Sequence, residues 1–350
     1  MKLIVQIPCF NEEETLPQTI RDIPRSIDGV DCVELLVIDD GSSDGTAELA
    51  RELGVEHVVR HTMNKGLARA FRSGVEACLK AGAEIIVNTD ADNQYCGADI
   101  PKLIQPILDG NADIVVGNRG ARTNPHFSLP KKGLQLLGSA LVRRLSQTTV
   151  PDAVSGFRAI SRQAALQLNI VSSFSYTIEM LIQAGSKRLS VASVPIETNP
   201  KTRDSRLFRS IPHFLSRSVA TIARMYAMYQ PLRVFFVIGM TLVLVGALPI
   251  FRFLYFYFAG SGGGHIQSLV LGGVLLVIGF ITLLFGMLAD LIGFNRQLIE
   301  IALQKVTQVE LDLGRGADGA AQTKEGKRKF NEDQVRHELA GFRQRGRRAK

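Results

Sequence analysis

The chain has no tryptophan, and its four cysteines, Cys9, Cys32, Cys78 and Cys96, lie far apart with neither CxxC spacing nor a neighbouring histidine. That scatter excludes a thiolate metal cluster and a disulfide framework, and it reads as reduced cytosolic thiols. Charge is missing in two places. No charged side chain occurs from Val234 to Phe251 or from Ile266 to Ala289. With its flanks, each run reaches the roughly 20 residues that a helix needs to cross a bilayer. The connecting stretch Ala259 to His265 lacks lysine and arginine. By contrast, Arg206, Arg209, Arg217, Arg224 and Arg233 precede the first run, and Arg296 and Lys305 follow the second. Basic residues concentrate on the cytoplasmic side, so a two-span hairpin in the cell (plasma or inner) membrane with both termini cytoplasmic is expected. Arg252 is the exception, close enough to the far interface to snorkel. Met1 to Phe10 is too short an apolar stretch for a signal peptide.

Excess positive charge belongs mostly to one end. Of the net +8, Gly314 to Lys350 supplies +6, from 11 lysines and arginines against 5 acidic residues. A tail so poor in large apolar residues reads as partly disordered or weakly helical, and as a neighbour of anionic headgroups or a solubilising segment; nucleic acid is not an expected partner.

What is present over the first two hundred residues is alternation. Apolar runs of strand length recur at 3–7, 33–38, 55–59, 83–87, 114–116 and 190–196, and helix-like segments lie at 12–23, 44–53, 66–81 and 99–108. This pattern predicts βαβ units and an α/β, Rossmann-like, mostly parallel sheet, which binds ligands at the carboxyl ends of its strands. Later segments are long, basic and amphipathic. In 129–146, Lys131, Lys132, Arg143 and Arg144 flank a leucine stripe. In 206–229, Leu207, Ile211, Leu215, Val219, Ile222 and Tyr226 recur at helical spacing, as expected of a helix in the headgroup layer. The expected organisation is therefore a catalytic domain over 1–205, an interface helix over 206–230, two spans over 231–295 and a basic tail over 296–350.

Chemistry concentrates at the predicted strand ends. The run 83–87 ends in Asn88-Thr89-Asp90-Ala91-Asp92-Asn93-Gln94, which places two carboxylates one residue apart beyond a buried strand. Hard oxygens so placed suit Mg²⁺ or Mn²⁺ carrying a diphosphate. Strand one ends in Pro8-Cys9-Phe10-Asn11-Glu12 and strand two in Asp39-Asp40-Gly41. Acidic groups there can accept hydrogen bonds from a ribose or base, and Asp39 and Asp40 are assigned to ligand, Asp40 preferred. Ser43-Asp44-Gly45-Thr46 is an ordinary helix entry.

With Asn64-Lys65-Gly66-Leu67-Ala68-Arg69-Ala70 and Gly117-Asn118-Arg119, these segments in this order resemble family 2 of the nucleotide-sugar glycosyltransferases. The dolichol-phosphate mannosyltransferase-like branch, the polyprenyl-phosphate glycosyltransferases, is the most similar, and the apolar hairpin with its glycine-rich turn resembles bacterial members. The resemblance implies a glycosyltransferase A-type fold and transfer of one sugar, with inversion, from a nucleotide diphosphate to a polyprenyl phosphate. It implies that Pro8, Phe10, Glu12 and Asp40 surround the donor, with Asp39, Asp90 and Ala91 completing that set. Asp90, Asp92 and Gln94 would hold the metal, and Arg119 would lie near the phosphates. Phe10 stands where the family usually has tyrosine, which removes a hydroxyl contact to the donor. The family has a similar basic acceptor loop, which falls on Asn199 to Arg206 here and makes Arg203 the preferred ligand of the lipid phosphate, with Arg206 and Lys132 behind it. Asp92, Arg119 and Arg203 are the implied catalytic residues. Ser155-Gly156-Phe157-Arg158 reads as a structural turn, and Glu179 matches a recurrent acidic position without a derivable role. Processive polysaccharide synthases share the donor fold, but they resemble one another in a Gln-x-x-Arg-Trp motif that a chain without tryptophan cannot form. A silent nucleotide-sugar-binding scaffold is the remaining alternative. The choice of sugar and self-association are left open.

Overall fold

The structure, a computed structural model, describes residues 1–120, 138–140, 142–146, 148–171, 176–200, 220, 224, 226–260 and 262–347, with no side-chain description for 262, 263 and 314–347. Seven strands form one sheet in the order β3-β2-β1-β4-β6-β5-β7. They are β1 (Lys2–Cys9), β2 (Cys32–Asp39), β3 (His57–Arg60), β4 (Ile85–Asn88), β5 (Ile114–Asn118), β6 (Arg158–Ser161) and β7 (Val191–Pro195). Valine, isoleucine and leucine dominate the central strands, as suits residues buried on both faces of a parallel sheet. β1 pairs in parallel with β2 and β4, β2 with β3, and β5 with β7. β6 alone runs antiparallel, between β4 and β5. The expected mostly parallel sheet is present, and the antiparallel insertion is what the sequence pattern missed.

Helices α1 (Leu16–Asp22), α2 (Thr46–Glu52), α3 (Leu67–Lys80) and α4 (Ile100–Leu108) follow β1 to β4. Alternation along β1 divides the core. Leu3, Val5, Ile7 and Cys9 join Leu16 and Ile20 of α1 and Leu103 and Ile104 of α4 in one buried cluster. On the other face, Gly74 of α3 comes so close to Gln6 that an added Cβ would lie 2.4 Å from Gln6 Oε1. Each fully buried leucine or isoleucine here contributes about 1.5–3 kcal/mol. α5 (Arg162–Gln167), capped by Ser161, and α6 (Tyr176–Ser186) follow β6. Phe71 of α3 stacks on Tyr176 of α6 at 3.9 Å between ring centroids. Glu179 and Arg158 are both fully buried. Glu179 accepts from the amide of Val171 at 3.0 Å and from Gln183 Nε2 at 3.2 Å, a structural engagement on α6.

α7 (Pro231–Phe258) and α8 (Ile266–Arg347) contain the two uncharged runs. Both are long and apolar enough to cross a membrane, each with a mean hydropathy of 2.6 in its most apolar window. Phe236, Leu244, Phe251, Phe280 and Phe285 are all at least half exposed, a surface that water would not tolerate at this extent. Glycines face glycines between the helices. A Cβ on Gly279 would meet Gly239 O at 2.9 Å, and one on Gly272 would meet Gly246 O at 2.6 Å. Such close backbone approach is the packing mode of helices in lipid, where apolar burial offers no driving force. The chain divides into two compact units, 1–301 and 302–350, and the backbone of α8 stays helical through most of the second.

Candidate active site

The carboxyl ends of β1, β2, β4 and β5 gather the predicted residues. Pro8 is buried, whereas Phe10 is 39% exposed at the mouth of the sheet. Asn11 takes a left-handed conformation, φ 56°, and its Oδ1 accepts from the amide of Ser43 at 2.8 Å. The amide of Glu12 donates to Thr46 Oγ1 at 2.9 Å, so the loops after β1 and β2 brace each other. Glu12 is buried and its Oε2 accepts from Thr15 Oγ1.

Asp39 and Asp40 are both buried and both engaged. Asp39 Oδ1 accepts from the amide of Ser42 at 2.8 Å, and Oδ2 lies 3.2 Å from Arg60 Nε. Asp40 Oδ1 meets His61 Nδ1 at 2.7 Å and accepts from the amide of Lys65 at 2.9 Å, while Oδ2 accepts from the amide of Gly66 at 2.8 Å. Asp40 thus fastens the Asn64-Lys65-Gly66 loop, an occupation that its place at a strand end did not foretell. Gly41 makes this possible. Its φ is 75°, and an added Cβ would lie 2.5 Å from the carbonyl carbon of Met63.

Beyond β4 the chain turns sharply. Thr89 N bonds Gln6 O at 3.1 Å, Thr19 Oγ1 donates to Ala91 O at 2.9 Å, and Asp92 Oδ1 accepts from Gln94 N at 3.2 Å. Asn93, at φ 53°, is buried and donates to Asp22 Oδ2 at 2.8 Å, and its own Oδ1 has no hydrogen-bond partner among the described residues. Asp90 and Asp92 are partly buried side by side. Burial, then the charge of Asp92, hold the Asp90 carboxyl at a pKa of about 7, against the pull of Arg119; Glu12 raises it further and Arg158 lowers it. The Asp-x-Asp pair, Glu12 and Arg119 therefore share one electrostatic neighbourhood.

Gly156 closes the site from β6. An added Cβ there would lie 3.0 Å from Asp90 Oδ1 and 3.2 Å from Tyr176 Oη. Its amide donates to Tyr95 Oη at 2.9 Å, and its carbonyl accepts from Asn88 Nδ2 at 2.9 Å. Asn88 also donates to Tyr176 Oη at 2.8 Å and accepts from Gln6 at 2.9 Å. The expected turn over Ser155 to Arg158 lies earlier, at Ala153 and Val154; Ser155 to Phe157 are irregular and Arg158 opens β6. The Arg158 side chain is fully buried and donates to the carbonyls of Ser155, Thr177 and Ala153, each at 2.8 Å. Burial drops its pKa to about 10, and it is a fixed cation behind Asp90.

Arg119, at the end of β5, is held bidentately by Asp152, Nε to Oδ2 at 2.8 Å and a terminal nitrogen to Oδ1 at 3.0 Å. Such a fork-to-carboxylate pair fixes a guanidinium's plane as well as its position. Sequence reasoning missed Asp152, Asn88, Tyr176 and Arg158; an aspartate just after Pro151 and ahead of the Ser-Gly-Phe-Arg segment was the one available signal. Lys132, Arg203 and Arg206 lie outside the described residues.

Two adjacent carboxylates with insufficient compensating charge fit a hard divalent cation. Among the described residues no group of three acidic, histidine or cysteine side chains could hold a metal. Asp90 and Asp92, with the Gln94 amide, would supply part of a coordination shell and leave the remainder to phosphates and water, the way Mg²⁺ is commonly bound with a nucleotide.

Residues 4–168 match the model of the family described as Glycosyl transferase family 2. The UDP-N-acetylglucosamine–dolichyl-phosphate N-acetylglucosaminyltransferase of Methanococcus voltae is 30% identical over 213 residues, 55% of this chain and 83% of that one. The polyprenol monophosphomannose synthase of Mycolicibacterium smegmatis is 30% identical over 206 residues, 56% of this chain and 76% of that one. In fold, the chain is similar to glucosyl-3-phosphoglycerate synthase from Mycobacterium tuberculosis, solved with Mn²⁺, UDP-glucose and phosphoglyceric acid. That likeness has a TM-score of 0.51 at 22% identity and covers 65% of this chain and 79% of the other. The mixed, mostly parallel sheet is thus of glycosyltransferase A type, and the chain belongs to glycosyl transferase family 2 as a glycosyltransferase similar to polyprenyl-phosphate enzymes.

Proposed function

We propose that this protein moves a single sugar from a nucleotide-diphosphate sugar to a polyprenyl phosphate at the cytoplasmic face of the membrane. The observation that carries the reading is the union, in one compact unit, of the Asp90–Asp92 pair facing a clamped Arg119 with a glycine-packed apolar hairpin. The first suits a diphosphate, and the second suits an acceptor that resides in lipid.

A phosphate monoester is already anionic near neutral pH, so its oxygen needs no strong general base. That oxygen attacks the anomeric carbon, the new C–O bond forms as the bond to the diphosphate breaks, and the nucleoside diphosphate leaves with the electron pair. One in-line displacement inverts the configuration. Mg²⁺ or Mn²⁺, when bound, neutralises charge on the departing diphosphate. Arg119, its plane set by Asp152, is a preorganised cation for the same developing charge. Phe10, exposed at the mouth, offers a ring face to the base or sugar. Arg203, with Arg206 and Lys132, is assigned to the acceptor phosphate from its place in the chain, and Pro8, Glu12, Asp39, Asp40 and Ala91 to the walls of the donor site.

Membranes containing the protein, supplied with a panel of labelled nucleotide sugars, divalent metal and a short polyprenyl phosphate, test this reading and name the sugar. Labelled lipid is expected with one donor, and Asp92→Asn lowers its rate by at least about a hundredfold. Donor binding without product under every condition would instead favour a non-catalytic scaffold.

A further inference from the structure

One cluster of charge takes no part in the donor site. Lys187 stands just past α6, where Arg188 takes the left-handed conformation, φ 55°. The Lys187 ammonium lies 2.8 Å from Glu300 on α8, with the two side chains only 19% and 17% exposed, and it also donates to the carbonyl of Gln167. One turn earlier on α8, Arg296 approaches the same Glu300 at 3.7 Å and lays its guanidinium over the ring of Tyr229 at 4.0 Å. Tyr229 lies two residues ahead of α7. Three elements therefore converge on one joint: the last turn of α6, the entry to the first apolar helix and the exit of the second.

Behind the joint lies a cavity of about 200 Å³, lined by Leu145, Ile182, Gly185, Arg188, Tyr226 and Tyr229 among others. A pair this sheltered is screened far less than one in open water, and truncating one partner leaves a poorly compensated charge.

We propose that Lys187 and Glu300, with Arg296 and Tyr229, are positioning residues for the lipid acceptor. They lock α6 to α8 and so set the height and tilt of the donor site above the bilayer. The inference rests on the reading of transfer to a lipid phosphate. A nucleotide sugar arrives from solution and does not feel that height. A phosphate at the end of a membrane-embedded chain has its depth set by the bilayer, and only its encounter with the donor depends on the joint.

The test compares the full chain, reconstituted in vesicles, with Lys187→Glu, Glu300→Lys and the double exchange. Either single exchange should raise KM for a long, bilayer-embedded polyprenyl phosphate and lower kcat/KM roughly ten- to hundredfold, as expected when reacting groups are displaced by an ångström or so. Donor affinity by calorimetry and the rate with a one- or two-isoprene phosphate too short to be anchored should stay unchanged. The double exchange should recover part of the loss, short of all of it because the Gln167 carbonyl would then face a carboxylate and Arg296 a lysine. If a single exchange also loses donor binding, Lys187→Gln and Glu300→Gln make the same comparison. Silent single exchanges, no recovery in the double exchange, or an equal fall with long and short acceptors would each overturn the inference. A wild-type chain that binds donor but labels no polyprenyl phosphate of any length would overturn the transfer reading itself, and this inference with it.

Discussion

Arg119, only 17% exposed, has the plane of its guanidinium fixed by Asp152, which grips it through two parallel hydrogen bonds. Asp152→Asn keeps the shape and removes the charge, and an amide can accept only one of the two bonds. The expected result is a fall in kcat of roughly ten- to hundredfold at a temperature where the variant is still fully folded, with some loss of thermal stability because Arg119 keeps its charge without its partner, both measured on the purified chain. A change in unfolding midpoint large enough to account for the lost rate would make Asp152 a stability residue instead. The acidic pair was readable because an apolar run ends abruptly in charge. Asp152, Asn88 and Tyr176 were not, because each acts on a residue 33 or more positions away, and no local spacing encodes that meeting.

Elements built from continuous apolar runs were legible to within a few residues. β1, β2 and β4 lie where runs of valine, isoleucine and leucine put them, and the hairpin helices begin where charge stops. β6 was not legible. Its four residues, Arg158-Ala159-Ile160-Ser161, hold two apolar side chains and open on an arginine, which reads as a loop until three buried carbonyls are seen to satisfy it. Within the hairpin, the glycine contacts carry a sharp expectation. Gly279→Leu must displace Val243 and the Gly239 carbonyl, whereas Gly273, with nothing within 4 Å, accepts a side chain into open space. Overpacking of this kind costs about 1–3 kcal/mol. Thermal unfolding in detergent or lipid should show Gly279→Leu destabilised and Gly273→Leu unchanged. Equal behaviour of the two would mean that α7 and α8 do not pack through these glycines.

At the scale of the whole molecule, the proposed transfer requires a donor site that faces water to meet an acceptor that lives in lipid. The two charge-free runs were readable as long apolar helices, and the acidic strand ends as the candidate donor site. The joint that unites them stayed hidden, because Lys187, Tyr229, Arg296 and Glu300 each look like ordinary surface residues in the sequence. The division of labour makes one more expectation at this scale. Arg203→Ala, chosen from its place in the basic loop, should raise KM for lipid phosphate about tenfold or more while nucleotide-sugar affinity holds, because a lost charge-assisted bond falls on one substrate alone. Equal loss for both substrates would move this residue to the donor.

The most direct trial of the central claim is the fate of a labelled sugar. The full chain, in vesicles with divalent metal, labelled nucleotide sugar and long-chain polyprenyl phosphate, should pass label into the lipid fraction to a limit of one sugar per lipid phosphate, and a chelator should stop it. Label released as free sugar, built into a polymer, or carried equally fast after chelation would contradict the account.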